Sequence, residues 1–127
     1  MNMKELDKIL SSSDADGLAL YDFLVNNTDL ADEEILALIG KLTEADTTGQ
    51  FVASAARYLQ AIDPERFRPE IDKLINAAID KDRERAYIPA LLATVWGPDY
   101  MERSAELRET DDNFRRIFKR VYPEGAI

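Results

Sequence analysis

Residues 32–42 read Asp-Glu-Glu-Ile-Leu-Ala-Leu-Ile-Gly-Lys-Leu, three acids followed by apolar residues at helical spacing. Acidic side chains in a first turn face the positive end of the helix dipole, so the stretch predicts a helix that begins near Ala31. The same pattern returns after 36 residues, where Glu34-Ile35-x-x-Leu38-Ile39 aligns with Glu70-Ile71-x-x-Leu74-Ile75. Repetition at a fixed offset indicates that the chain is built from similar helical hairpins.

The alignment continues without insertions into the second helix of each hairpin. The matched positions are Phe51-Val52 with Tyr87-Ile88, Ala55-Ala56 with Leu91-Leu92, Leu59 with Val95, and Asp63 with Asp99. Residues 1–28 and 99–122 fit shorter, degenerate units at the two ends. The period resembles that of HEAT and armadillo repeats, on apolar spacing alone and over about half of the chain. The resemblance implies a short α-solenoid, and an irregular helical bundle is the alternative.

Helix signals run along the whole chain and strand signals are nearly absent. We therefore predict one all-α domain over residues 1–127, with seven or eight helices stacked as antiparallel pairs. Ser13 is the expected cap of the second helix, and Asp99 with Glu102 the expected start of the seventh. The last helix carries Phe114, Ile117, Phe118 and Val121 on one face until Pro123 stops it.

Residues 86–96 contain no charged side chain. A helix that is apolar all round is normally buried all round, so we expect this helix to be the least exposed and to lie at the centre. Pro89 either begins it or kinks it, and Gly97-Pro98 ends it. Leu91 and Leu92 are the residues expected to be most deeply buried.

Composition excludes several classes of protein. Hydrophobic residues make up 46% of the chain and charged residues 32%, as in a folded soluble protein. No apolar run approaches the ~18–20 residues that span a bilayer, and Met1–Asp7 lacks the apolar stretch of a secretory signal. We therefore expect a cytoplasmic protein that does not bind membranes.

Charge is distributed unevenly within the net charge of −9. Residues 1–50 hold eleven acids against Lys4, Lys8 and Lys41, whereas residues 51–127 hold fourteen acids against thirteen bases. Such a field repels nucleic acid and attracts basic proteins, so the expected partner is a basic protein and not a nucleic acid. The alternative is an acidic surface that only keeps the protein soluble.

Residue types also restrict the chemistry. The chain has neither histidine nor cysteine, which excludes Ser-His and Cys-His nucleophile pairs and zinc sites with nitrogen or sulfur ligands. Asp14-Ala15-Asp16-Gly17 matches only the start of a calcium loop, and a helix N-terminus explains it better. Glu102, Glu106 and Glu109 on one helix face favour a solvated surface over a cation site. We predict no catalytic residue, no cofactor and no metal.

Two further features concern recognition. Arg115, Arg116, Lys119 and Arg120 make the last helix basic, which suits either phosphate or internal pairing with the acidic part of the chain. Trp96 and Tyr100 flank the Gly97-Pro98 turn. Tryptophan and tyrosine are frequent interface anchors, and we expect Trp96 in the core and Tyr100 at the surface.

The favoured hypothesis is a non-catalytic protein-binding module. In size, acidity and lack of catalytic residues, the chain resembles bacterial immunity proteins that neutralise secreted toxins, which implies a basic toxin or nuclease domain as partner. A HEAT-like scaffold or adaptor and a carboxylate-based enzyme are the alternatives. The expected contact surface lies on the second and fourth helices and the loops before them. Its predicted residues, with the exposed aromatic, are Asp14, Asp16, Asp22, Glu44, Asp46 and Tyr100.

Overall fold

The computed structural model describes residues 3–11 and 17–123, which contain eight α-helices and no β-strand. The predicted all-α class and the number of helices are therefore confirmed. The helices are α1 (Met3–Ser11), α2 (Leu18–Val25), α3 (Asp32–Ala45), α4 (Gln50–Ile62), α5 (Arg68–Lys81), α6 (Pro89–Trp96), α7 (Ser104–Thr110) and α8 (Asp112–Val121).

The first six helices form two layers. In one layer α1 contacts α3 and α3 contacts α5, and in the other α2 contacts α4 and α4 contacts α6. Helix α8 packs against the last helix of each layer, α5 and α6, and α7 contacts α8. Because each helix touches its successor within its own layer, the arrangement is compatible with a helical solenoid.

The predicted apolar stripes form the core between the layers. On α3 the buried residues are those of the quoted motif, Ile35, Leu38, Ile39 and Leu42. Their repeat counterparts on α5 are buried as well, and three alanines of α4 allow that helix to approach closely. Helix α8 closes the core with Phe114 and Phe118, whose ring centroids lie 5.4 Å apart. One contiguous cluster of buried side chains results.

The prediction that residues 86–96 form a central helix buried all round is wrong, although only two residues of that helix are exposed. Helix α6 begins only at Pro89, and Leu91 and Leu92, buried as expected, are the only buried residues among its eight. Helix α5 instead buries seven of its fourteen residues. The outer side of α6 exposes Ala90 and Ala93. Small apolar side chains cost little free energy in contact with water, so the absence of charge did not require burial.

The expected start of the seventh helix is also wrong. Helix α7 begins at Ser104, and residues 98–103 form consecutive turns in which Asp99 pairs with Arg103 at 3.2 Å. Ser13, the expected cap of the second helix, lies outside the described residues. Gly17, which is described, immediately precedes α2. Trp96 is half-buried at the edge of the core, and its ring meets the Phe114 ring edge-on at 5.3 Å.

Candidate interaction surface

The six predicted contact residues have different environments. Asp14 and Asp16 lie outside the described residues. Asp22 on α2 and Glu44 on α3 are exposed, and neither carboxylate takes part in an ion pair with the described residues. Asp46 and Tyr100 make contacts inside the fold. Asp22 and Glu44 are therefore the predicted acids that the structure leaves accessible to a partner.

Asp46 is not a surface acid. Its side chain follows α3 and folds under the start of α4, leaving 1% of the residue exposed. Its two carboxylate oxygens accept hydrogen bonds from the backbone amides of Gly49, Phe51 and Val52, each at 2.9 Å. These amides have no partner within the helix, so Asp46 stabilises the start of α4. Burial removes it from the expected contact surface.

Tyr100 is half-buried rather than exposed. Its hydroxyl lies 3.1 Å from the hydroxyl of Tyr122, and its ring meets Phe114 at 6.3 Å. The hydrogen bond to Tyr122 raises the pKa of Tyr100 above its ordinary value near 10, with burial as a second cause. The contact ties the turn before α7 to the end of α8, so Tyr100 has a structural role in addition to any role in binding.

The acidic half of the chain contains few internal ion pairs. Among its described acids only Asp32 pairs with a base, Arg66, at 3.3 Å. Asp22, Asp29 and Glu44 are exposed and have no ion-pair partner among the described residues. The negative field that the composition predicts is thus not neutralised locally in the described part of this half.

The two layers differ in charge, and this contrast was missed in the sequence reading. Helices α2, α4 and α6, of 8, 13 and 8 residues, contain only two charged residues, Asp22 and Arg57. Helix α3 alone contains five among fourteen residues, and α5 contains six among fourteen. One layer therefore presents an almost uncharged surface in a chain of which 32% is charged.

A shallow groove of about 340 Å³ crosses this layer. It runs from α2 across α4 to α6, and the Tyr58 hydroxyl within it is fixed by donating to the Val25 carbonyl at 3.1 Å. Two large apolar side chains of the same helices, Leu18 and Ile62, are 55% and 44% exposed. The groove is lined by Tyr21, Ser54, Arg57, Tyr58, Ala61 and Thr94. We call the solvent-facing side of these three helices, with the groove, the α2–α4–α6 face.

The bases of α8 pair locally rather than with the acidic half, so the expected internal pairing needs correction. Arg116 lies 3.3 Å from Asp80 of α5, and Arg115 pairs with Asp112 of its own helix. Arg120 donates to the carbonyls of Ile79 and Asp82, where α5 ends. Positive charge is favourable at a helix C-terminus, which accounts for this placement.

Three carboxylates, of Asp72, Asp111 and Asp112, line an open cleft of about 610 Å³ beside Trp96. Asp111 is committed to structure, since its oxygens accept from the Phe114 amide at 3.1 Å and from the Trp96 indole at 2.8 Å. Burial raises the pKa of Asp72, and the nearby Arg68 opposes that shift. Among the described residues, no hydrogen bond joins one of these carboxylates to another.

Comparison with protein-family models, with curated proteins and with solved structures gave no match. Within the described residues, no group of acidic side chains is placed to hold a metal ion. None of the helices in that part of the chain has the length and apolar character needed to cross a membrane.

Proposed function

We propose that the chain is a non-catalytic protein-binding module that holds its partner on the α2–α4–α6 face. The observation that carries the proposal is the near absence of charge on this layer, where only Asp22 and Arg57 are charged. Protein interfaces are depleted in charged residues at their centre and enriched in tyrosine and arginine. Tyr21, Tyr58 and Arg57 supply those residue types in the groove.

A HEAT-like repeat fits this use of the face. The resemblance is supported by Asp46 and Asp82, 36 residues apart, whose carboxylates accept hydrogen bonds from corresponding backbone amides of the two aligned hairpins. Repeat proteins of this kind bind partners along one layer of helices, because stacking makes that layer broad and rigid. Of the two layers of helices, the layer that carries the α2–α4–α6 face has fewer charged residues than the layer that contains α3 and α5.

The partner in this proposal is basic. Asp22, Asp29 and Glu44 are exposed without ion pairs to the described residues, so they attract a positively charged protein over a distance. The specific form that we favour is an immunity protein that neutralises a basic toxin or nuclease domain. A scaffold or adaptor would use the same face without inhibiting the activity of the bound protein.

The test uses Ala61→Arg, which places a long charged side chain in the groove from an exposed position on α4. Ala37→Arg is the matched control, since Ala37 is exposed on α3 in the other layer. The native chain and both variants are used for affinity capture from the native cell. We expect a basic protein to be retained by the native chain and by Ala37→Arg and lost with Ala61→Arg. Equal retention by both variants contradicts the proposed face.

Activity measurements on the purified partner then distinguish an immunity protein from a scaffold or adaptor. Inhibition of a toxic or nucleolytic activity in proportion to complex formation supports the immunity protein. A partner that remains fully active in the complex supports the scaffold. Retention of no protein above background by the native chain contradicts a binding module of either kind.

A further inference from the structure

The structure contains another concave surface, which shares no residue with the α2–α4–α6 face or with the cleft beside Trp96. It is a cleft of about 560 Å³ where α5 ends and α8 passes beside it. Ile79 forms its apolar floor, and the side chains around it comprise five bases and one acid. We call it the basic cleft; its charged residues are Asp80, Arg83, Arg115, Arg116, Lys119 and Arg120.

We propose that the basic cleft binds a compact, multivalent oxyanion of the phosphate class. Its first support is the sign of the charge. In a chain of net charge −9, five positive side chains gather around one carboxylate, Asp80. Like charges held close together repel, so a bound anion would lower the electrostatic free energy of the cleft.

Three of the five bases are held in place by contacts with the protein. Arg116 donates to Asn76 Oδ1 at 2.6 Å and lies 3.3 Å from Asp80. Arg120 donates to the Asp82 carbonyl at 2.9 Å, and Arg115 pairs with Asp112. A guanidinium has five N–H groups, so each of these arginines retains donors beyond the contacts just described. Fixed guanidinium groups lose little entropy on binding an oxyanion and match its geometry.

The side chains of the other two bases are not held by contacts with the described part of the protein. Arg83, in the turn after α5, and Lys119, on α8, are exposed. Within the described part of the chain neither side chain makes a hydrogen bond or an ion pair. They line the cleft together with the three fixed arginines, and they are the residues free to close on an anion.

The size and charge of the molecule restrict the ligand. An extended nucleic acid would meet the acidic first half of the chain, which repels a polyanion. A small oxyanion would fit within the cleft and would not extend over the acidic surface. Phosphate oxygens accept several charge-assisted hydrogen bonds at once, which suits a site made of arginine and lysine donors.

The experiment is an NMR titration of the full chain with inorganic pyrophosphate, compared with sodium chloride at matched ionic strength. We expect saturable shifts of the amide signals at residues 79–85 and 115–121. Arg83→Gln with Lys119→Gln removes the two free bases. Lys8→Gln with Lys41→Gln removes the same charge from α1 and α3, helices that do not contact α8.

We expect the cleft variant to weaken pyrophosphate binding about tenfold or more, because each charge-assisted hydrogen bond to a multivalent anion carries about that factor. The control variant should weaken it less than about twofold, since its substitutions act only through the screened long-range field. Shifts that sodium chloride reproduces, or equal weakening in the two variants, overturn the proposal. Circular dichroism of both variants establishes that they are folded.

Discussion

The carboxylates of Asp46 and Asp82, 36 residues apart, occupy equivalent places in the turn between α3 and α4 and in the turn between α5 and α6. Asp46 accepts from the amides of Phe51 and Val52, and Asp82 accepts from those of Tyr87 and Ile88, at 2.7–2.9 Å. Both side chains are buried, with 1% and 2% of each residue exposed. The 36-residue offset in the sequence therefore relates these hydrogen bonds as well as the apolar stripes.

Removal of either of these two carboxylates should destabilise the fold. Asp46→Ala and Asp82→Ala each leave several buried amides without a partner, and we expect each to lower the free energy of unfolding by about 2–4 kcal/mol. The control is Asp22→Ala, at an exposed acid of α2, which should change it by less than about 0.5 kcal/mol. Urea unfolding followed by circular dichroism measures all three. Losses at Asp46 and Asp82 as small as the loss at Asp22 would show that the buried carboxylates do not stabilise the fold.

The two turns also lie directly against each other. Gly49 precedes α4 with φ of 91°, and a Cβ built on it would lie 3.0 Å from the Asp82 Cβ and 3.1 Å from its backbone nitrogen. Gly49→Ala thus adds left-handed strain to a steric clash, and we expect a loss of more than about 2 kcal/mol. Gly40→Ala, inside α3 where a Cβ meets nothing within 4 Å, should raise stability by about 0.5–1 kcal/mol. In thermal unfolding, the midpoint temperature should fall for Gly49→Ala and rise for Gly40→Ala.

The sequence predicted the core helices because their apolar spacing is strong. The stripes of α3 and α5 each extend over about two helical turns, and burial follows directly from such periodicity. The shared role of Asp46 and Asp82 was missed because an aspartate in a polar loop normally indicates solvent exposure. The residue three positions after each also hides the equivalence, since Gly49 is matched by Arg85, which has a φ of 57°. Arginine gives no sequence signal for a left-handed conformation.

The candidate surface was only partly predictable. The fourth and second helices were expected to carry the contact surface through their acids and adjoining loops, and this role remains a prediction. The contrast in charge between layers is visible only after α2, α4 and α6 are known to be neighbours. The uncharged stretch around Leu91 was interpreted as a buried helix, because sequence alone does not show whether small apolar residues face solvent or the core.

Truncation of α6 tests how strongly it contributes to the core. Leu91 and Leu92 are 0% and 1% exposed, so replacement of either by alanine should cost about 2–5 kcal/mol through lost contacts and the cavity left behind. Leu18→Ala is the control, because Leu18 is 55% exposed on α2 and its truncation should cost less than about 1 kcal/mol. Chemical unfolding of the three variants supplies the comparison, and a small loss at both Leu91 and Leu92 contradicts this account of the core.

The Tyr100–Tyr122 contact predicts a pH dependence at the alkaline end. Because the hydrogen bond raises the pKa of Tyr100, the folded state holds that proton more tightly than the unfolded state. The resulting stabilisation is fully present below pH ~10 and is lost as pH rises through the higher folded pKa. Tyr122→Phe should move the pKa of Tyr100 down toward 10, as measured by NMR of the tyrosine ring carbons. Tyr58→Phe, which lacks contact with this pair, should leave it unchanged.

Charge on the first half of the chain should control how fast the partner associates. Asp22→Asn, Asp29→Asn and Glu44→Gln together remove three exposed acids that lack ion pairs among the described residues, and we expect slower association with unchanged thermal stability. The native rate should fall markedly between ~50 and ~500 mM salt, since exposed charges are screened within about 10 Å at 0.1 M. Stopped-flow measurements with the captured partner provide both rates.

The matched control removes three exposed acids from the second half, through Glu84→Gln, Glu102→Gln and Glu106→Gln. The net charge changes equally in the two triple variants, so any difference between them reports position rather than total charge. Electrostatic attraction of the partner depends on the field near the α2–α4–α6 face, and Asp22 is one of the two charged residues of that layer. We therefore expect a smaller effect from the control. If both variants slow association equally, the acids act only through net charge; if neither does and salt has no effect, the acidic half is a solvated surface with no part in recognition.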